Sequence, residues 1–465
     1  GSFIGRRPGR CQQKECRRGQ RLSRPDCRFL AVSVIIPNTF WGSLHILEES
    51  RVPCVLPDEK NMGVVTNLET VWKDRMAERL SETWHGAGGA EFVLLLLAVR
   101  HEFEERTARA GVKGRSVMDA RELIENQPVD WDELYYRAGA HRIRPQMAAL
   151  IRGIKSVRIP PAFRDRIDDY CRGNLSLQLR TISEFTRIKE ILDGAGIEAV
   201  PFKGFWLAQE FYGDLAARES GDLDLFFHFR DFDRVTVLMA ENGYTPETSS
   251  SPTFIKNVKR LSAEYNFERY EHGEKVLHVE FHWRMGSVFH GLDITLDELA
   301  PHVVQGVIDG RPYPVFTPSA NLLLVLMHHG GKDPLSRLKY FSDIAMLLRT
   351  PDAFDTEWIR KMARRYRMEK LLRVEMILTE HFTGVKVPEA LISKDAGVRK
   401  IAKERMRVIE ASPEQWNGRM AEFSNLLYQL RTRSGFALRA RMVYESFRSA
   451  VVRTISPEWL MRAYL

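Results

Sequence analysis

No stretch of this chain stays apolar for the ~20 residues that a membrane-crossing helix needs. The longest apolar runs, residues 92–99 and 322–327, have the length of buried helix segments. A soluble, cytoplasmic protein is therefore expected. Cysteine is scarce and lopsided: of five, Cys11, Cys16, Cys27 and Cys54 lie in the head of the chain and only Cys171 beyond it. Their spacing fits no zinc ribbon or finger and no histidine pair completes one, so free thiols in a reducing compartment are expected. No repeat of fixed period stands out, which argues against a solenoid. A one-signed charge is missing from most of the sequence as well. The net charge is +8, but residues 1–30 hold nine Lys/Arg against Glu15 and Asp26, which leaves +1 for residues 31–465. A near-neutral body disfavours nucleic acid as a partner, since that partner normally needs a basic face.

What is present is ordinary globular composition, 44% hydrophobic and 28% charged over 465 residues, enough for two or three domains. The first methionine is Met62, and residues 1–61 show no sustained period. They are expected to be an extension or disordered arm. The basic head followed by residues 29–36 also has the outline of a signal peptide, but the apolar core is short and no clear cleavage site follows it.

Residues 62–195 read as a helical N-terminal region. It includes a helix from Trp131, preceded by a break at Asn126 and Pro128, and a long helix after Pro160-Pro161. In the long helix Leu175, Leu179, Ile182, Phe185, Ile188 and Ile191 recur at spacings of three and four, which predicts one buried face. Gly194 and Gly196 should end it. Residues 196–318 change character: strand (197–202), helix (205–212), strand (222–229), helix (232–241), then strands at 265–270 and 275–283 joined by a turn. That order predicts a small α/β unit with a mixed sheet. From Ser319 to Leu465 helices return. The fold class is thus α+β, a small catalytic sheet flanked by helical N- and C-terminal regions.

Asp222-Leu223-Asp224 carries the chemistry. On a strand, residues i and i+2 share a face, so both carboxylates project together while Leu223 and Leu225 face the core. Two such charges repel, and hard oxygen donors held this way suit Mg²⁺ or Mn²⁺. Repulsion of this kind implies that removing either carboxylate leaves the fold intact. Alone, the pair reads equally as a solvated strand edge. Glu280 adds weight, because Val279-Glu280-Phe281-His282-Trp283 is a strand of large apolar residues in which a charge needs a reason. His282 shares its face; it is a candidate nucleotide contact, a partner for Glu280, or a hydrogen-bonded core imidazole. Lys203-Gly204 sits where the first strand turns into a helix, a place that favours a phosphate. Arg218 is placed to hold a phosphate or pair with the acids. His328, His329 and Lys332 sit at the expected end of an apolar helix stopped by Gly330-Gly331, and offer either helix-dipole partners or triphosphate contacts. Asp343 is read as an intramolecular partner, with Arg337 the nearest candidate.

Together, Ile197 to Gly204, Tyr212, Arg218, Asp222-Leu223-Asp224, Gly243-Tyr244, Val279 to Trp283, His328 to Lys332 and Phe341 to Ile344 resemble the uncharacterised nucleotidyltransferase family of the DNA polymerase β-like superfamily. The likeness runs over residues 130–385. It implies two Mg²⁺ and transfer of a nucleoside monophosphate from an NTP, with ATP the expected donor. By that resemblance Asp222 and Asp224 would ligate both metals and Glu280 the one that activates the acceptor; nucleotide contacts would fall to Lys203, Gly204, Arg218, His282 and Lys332. The wider superfamily usually has Gly-Ser or Gly-Gly where this chain has Lys203-Gly204, so its phosphate cradle must differ. The leading functional reading has a small-molecule or protein acceptor. The alternatives are a toxin-like enzyme modifying tRNA, a non-catalytic nucleotide-binding or scaffold module, and a metal-dependent phosphohydrolase. Acceptor, base preference and oligomeric state are not legible.

Overall fold

The computed structural model describes residues 89–107, 115–248, 251–287, 289–332, 336–349, 354–411, 413–416 and 419–455. The expected arm at 1–61, its signal-like run and its four cysteines lie outside them. Cys171 is a free, buried thiol. The architecture is α+β, a five-stranded mixed sheet between helical regions. Among the described residues no helix is long and apolar enough to cross a membrane.

Five helices come first: α1 (Gly89–Thr107), α2 (Arg115–Asn126), α3 (Trp131–Ala140), α4 (Arg144–Gly153) and α5 (Pro161–Gly194). α1 buries almost every residue from Phe92 to Val99, as a helix apolar on all sides must. Asp130 caps α3 by accepting from the backbone N–H groups of Asp132 and Glu133, which satisfies two donors that the first turn leaves orphaned. α5 starts with a proline in its first turn, where the missing N–H does no harm. Its buried face departs from the expected one. Leu175 and Leu179 are 36% and 54% exposed, and the stripe instead runs Asn174, Gln178, Thr181, Phe185, Ile188 and Leu192. The buried face is apolar at both ends, Phe163, Ile167 and Cys171 against the helical core and Ile182 to Leu192 against the sheet, and polar only in the middle. That middle stretch faces the polar loop before the second strand, so its inward residues Asn174 and Gln178 are amides.

The sheet follows, as β1 (Ala199–Pro201), a short helix α6 (Gly204–Leu207) that continues as a π turn Ala208–Tyr212, β2 (Leu223–Phe227), α7 (Phe232–Glu241), β3 (Tyr244–Pro246), α8 (Pro252–Leu261), β4 (Glu264–Glu271) and β5 (Glu274–His282). Strand order is β1-β2-β5-β4-β3, with β2 and β5 parallel and the other pairs antiparallel. Leu223, Leu225, Phe227, Tyr265, Phe267, Val279 and Phe281 share one face and bury against Phe185, Ile188, Leu192, Val235 and Met239 of α5 and α7. The alternate residues face the helical body. His272 and Gly273 join β4 to β5 with φ of 52° and 84°, the left-handed pair of a tight hairpin turn. β3 and α8 add to the expected elements. So does a second hairpin, β6 (Val303–Ile308) and β7 (Arg311–Phe316), whose turn is Asp309-Gly310. After the short α9 (Leu296–Leu299) that precedes this hairpin, the C-terminal helices are α10 (Pro318–Leu326), α11 (Leu338–Leu347), α12 (Thr356–Arg365), α13 (Glu369–Thr383), α14 (Ala396–Glu410), α15 (Arg419–Thr432) and α16 (Phe436–Ile455).

α1, α10, α11 and α13 share one apolar core. Gly330-Gly331 does not stop α10. The helix widens into a π-helical run, Met327–Lys332, that carries His328, His329 and Lys332 onward. The glycines serve close approach instead: a Cβ on Gly330 would fall 1.7 Å from Glu375 Oε1 of α13, and one on Gly331 2.6 Å from Leu292 Cδ1. Widened turns of this kind occur often at functional sites.

Candidate functional site

Parallel pairing of β2 with β5 sets Asp224 opposite Glu280 and Phe226 opposite His282. Asp222 stands one residue before β2, on the same side as Asp224. Asp222, Asp224 and Glu280 line a cleft of about 820 Å³ between the sheet and the two helical regions, while Phe226 and His282 are buried behind it. Asp224, Glu280 and His282 each place one ligand atom within 4.8 Å of the others.

His282 is fully buried. Its Nε2 lies 3.1 Å from Asp224 and 3.2 Å from Glu280, and its Nδ1 lies 3.1 Å from Glu264. Burial alone would lower its pKa. The three carboxylates, Glu264 foremost, raise it to about 10, so the ring is a cation that ties three acids together. No face of it remains for a nucleotide. Glu264 is a fourth carboxylate that the motif did not reveal. Burial pushes its pKa up, but Lys332 at 2.5 Å and His282 bring it to about 2. Burial likewise opposes ionisation of Glu280, and hydrogen bonds from His278 and His282 with the charge of Lys332 hold it well below the usual carboxylate range.

The two aspartates differ. Burial, with Asp222 and Glu280 nearby, raises the pKa of Asp224 despite Lys203 Nζ at 2.9 Å. For Asp222 burial and Glu280 act upward, yet Lys203, Lys339 and Arg142 lower it on balance. Removal of Asp224 would therefore strand two buried cations, Lys203 and His282, which reverses the expectation that repulsion dominates there. Asp222 has no ion-pair partner within 4 Å among the described residues, but the surrounding cations outweigh Glu280, so repulsion does not dominate there either.

Lys203 is held at φ 58° and Gly204 at φ 46°. A non-glycine residue in that region costs about 1–3 kcal/mol and is found where surroundings enforce it. Here the ion pair to Asp224 and the Phe202 ring, 4.6 Å from Nζ, do so. Arg218 turns away from the acids. Its Nε and Nη2 donate to Asp343 at 2.7 and 2.9 Å, and its Nη1 donates to the Gly204 carbonyl at 3.1 Å. Asp343 also accepts from Tyr212 Oη at 2.9 Å and meets His329 Nε2 at 3.1 Å. Asp343 thus pairs with Arg218 in the loop before β2, 125 positions away, where a sequence offset cannot show it.

The loop leading into Asp222 is pinned by amides. Gln146 donates to Ala217 O, Asn174 to Ala216 O and Arg218 O, and Gln178 to Ser220 O, at 2.9–3.2 Å. These buried amides of α4 and α5 fix where β2 begins.

His329 gives a pH prediction. Burial lowers its pKa to about 4 although Asp343 acts the other way, with Lys339 and Lys203 adding to burial. Unfolded, the group titrates near its ordinary 6.5. The neutral ring therefore stabilises the fold fully above pH ~6.5, and that contribution, on the order of 3 kcal/mol, is lost as pH falls toward 4. Urea melts of wild type and His329→Gln at pH 7.5 and 4.5 should show the smaller acid loss in the variant. Equal losses would assign the acid lability to other groups.

A family model described as uncharacterised nucleotidyltransferase matches residues 127–384, more than half of the chain. The chain belongs to that family. No curated protein and no solved structure matches it.

Proposed function

We propose that this member of the nucleotidyltransferase family transfers a nucleoside monophosphate from an NTP, ATP being the expected donor, to a small-molecule or protein acceptor. One observation carries the reading: Asp224 and Glu280 stand in register on parallel strands and, with Asp222, line one cleft. At about 820 Å³ the cleft has the size of a small-molecule site.

Asp222, Asp224 and Glu280 would hold Mg²⁺ or Mn²⁺, since they offer oxygen donors from neighbouring chain segments whose charges crowd one another. A divalent cation there would supply charge neutralisation on the triphosphate and activation of the attacking oxygen. Glu280 stays ionised, so it acts as a ligand and orienting group. His282 is a positioning residue that sets the directions of Asp224, Glu264 and Glu280. The sheet fixes all of these on rigid backbone, which limits reorganisation during transfer.

The test offers each of the four α-³²P-labelled NTPs with Mg²⁺ or Mn²⁺ to separate pools of small metabolites, protein and tRNA. Label covalently joined to a small molecule or protein is the expected result. Label in tRNA would move the acceptor to nucleic acid. Release of γ-phosphate or NMP with no labelled acceptor would favour a phosphohydrolase, and no turnover a binding module.

A further inference from the structure

Three of the cations that the sequence offers for phosphate are already engaged: Lys203 by Asp224, Arg218 by Asp343 and Lys332 by Glu264. Two others in the same cleft are not. Lys339 is 6% exposed, lines the cleft, and has no hydrogen bond or ion pair from its side chain among the described residues. Arg142 lines the same wall, also without a side-chain partner among the described residues. Its backbone sits at φ 55°, a conformation that a non-glycine residue keeps only under constraint.

The constraint is a joint between the two helical regions. Arg142 lies in the turn between α3 and α4, next to the buried His141. His141 Nδ1 accepts from the Leu338 N–H at 3.3 Å, and its carbonyl accepts from the Lys339 N–H at 3.3 Å. The first turn of α11 is thereby seated on the α3–α4 turn, and both surplus cations reach one wall. That wall faces the same cleft that Asp222, Asp224 and Glu280 line. Around the whole cleft eight Lys/Arg face five Asp/Glu.

Resting on the nucleotidyltransferase reading, we propose that Lys339 and Arg142 form the seat for the polyphosphate tail of the nucleotide. A buried ammonium without a counter-ion is costly. Burial and the charge of Arg218 depress the Lys339 pKa well below that of an ordinary lysine, and a bound polyphosphate supplies the missing negative charge. The seat makes the N-terminal helical region part of the substrate site, through Arg142.

Inorganic tripolyphosphate, without metal or nucleoside, is the probe, titrated calorimetrically into the full chain. Wild type should bind it. Lys339→Gln and Arg142→Gln should each weaken binding by about tenfold, the value of one charge-assisted contact, and Lys339→Arg should restore most of it. Lys275→Gln, at the far side of the cleft and paired with Glu268, should bind as wild type does. No binding by wild type, or unchanged binding by both variants, overturns the seat. Arg142 is partly exposed, so its variant still decides the matter if Lys339→Gln does not fold. Failure of the enzymatic reading looks different: tripolyphosphate binds and the variants lose it, while no acceptor is ever labelled. Transfer with an unchanged KM for NTP in both variants would sink the seat alone.

Discussion

Asp222→Asn is expected to lower transfer about 10³-fold or more, the loss that goes with several kcal/mol of metal-borne stabilisation, while leaving stability within ~1 kcal/mol of wild type. Asparagine keeps the shape and the long 3.4 Å contact from Ser220 Oγ, but it removes a charge from the group of acids. No ion pair within 4 Å is broken among the described residues, since Lys203, Lys339 and Arg142 act on Asp222 from beyond that distance. Asp224 is the contrasting case. It sits between Lys203 and His282, so Asp224→Ala should lose activity and stability together, and the two variants separate chemistry from folding. The same substitution should abolish nucleotide-dependent stabilisation, which in wild type reaches roughly 2–4 kcal/mol at about 100–1,000 times the dissociation constant. Label transfer from α-³²P NTP and urea unfolding of both variants check this. Full activity of Asp222→Asn, or its unfolding, would remove the metal-site assignment.

Asp343→Ala should destabilise the protein by about 3–5 kcal/mol, the loss seen when one partner of a buried ion pair is removed. Asp343 is 1% exposed and receives both arms of the Arg218 guanidinium, the Tyr212 hydroxyl and an edge of His329. Burial alone would raise its pKa; Arg218 and the His329 hydrogen bond hold it far below the carboxylate range. Because the folded-state value is depressed, this stability is present above pH ~4 and falls away only in stronger acid. The pair also holds the Gly204 carbonyl through Arg218, so its loss should loosen the turn beside Lys203. Arg218→Met/Asp343→Leu should be less destabilised than Asp343→Ala, because no charge is left stranded. Urea midpoints of the three proteins measure this. An Asp343→Ala midpoint within ~1 kcal/mol of wild type would mean that Arg218 finds water or another acid.

The hairpin β4–β5 shows where local reading stops. Counted outward from the His272-Gly273 turn, a regular ladder sets Glu264 opposite Phe281, on the core face. The structure has a bulge at Arg269/Tyr270 that shifts the register by one, so Glu264 meets His282 and joins the site. A one-residue slip moves every side chain to the other face, and a bulge leaves little trace in composition. The α5 face was misplaced for a related reason. Periodicity reports apolar neighbours, and Asn174 and Gln178 have loop carbonyls as neighbours instead.

By itself the sequence determined what repeats locally: helices with a 3.6-residue period, strands with a two-residue period, and the common face of Asp222 and Asp224. It also placed Glu280 on a charged position of an apolar strand. Only tertiary structure decided which cations are neutralised and which remain. Lys203, Arg218 and Lys332 find acids from 21 and more positions away in the chain, while Lys339 and Arg142 meet on one wall through His141 without one. Electrostatic pairing depends on distance in space, and a linear chain specifies that only after it has folded.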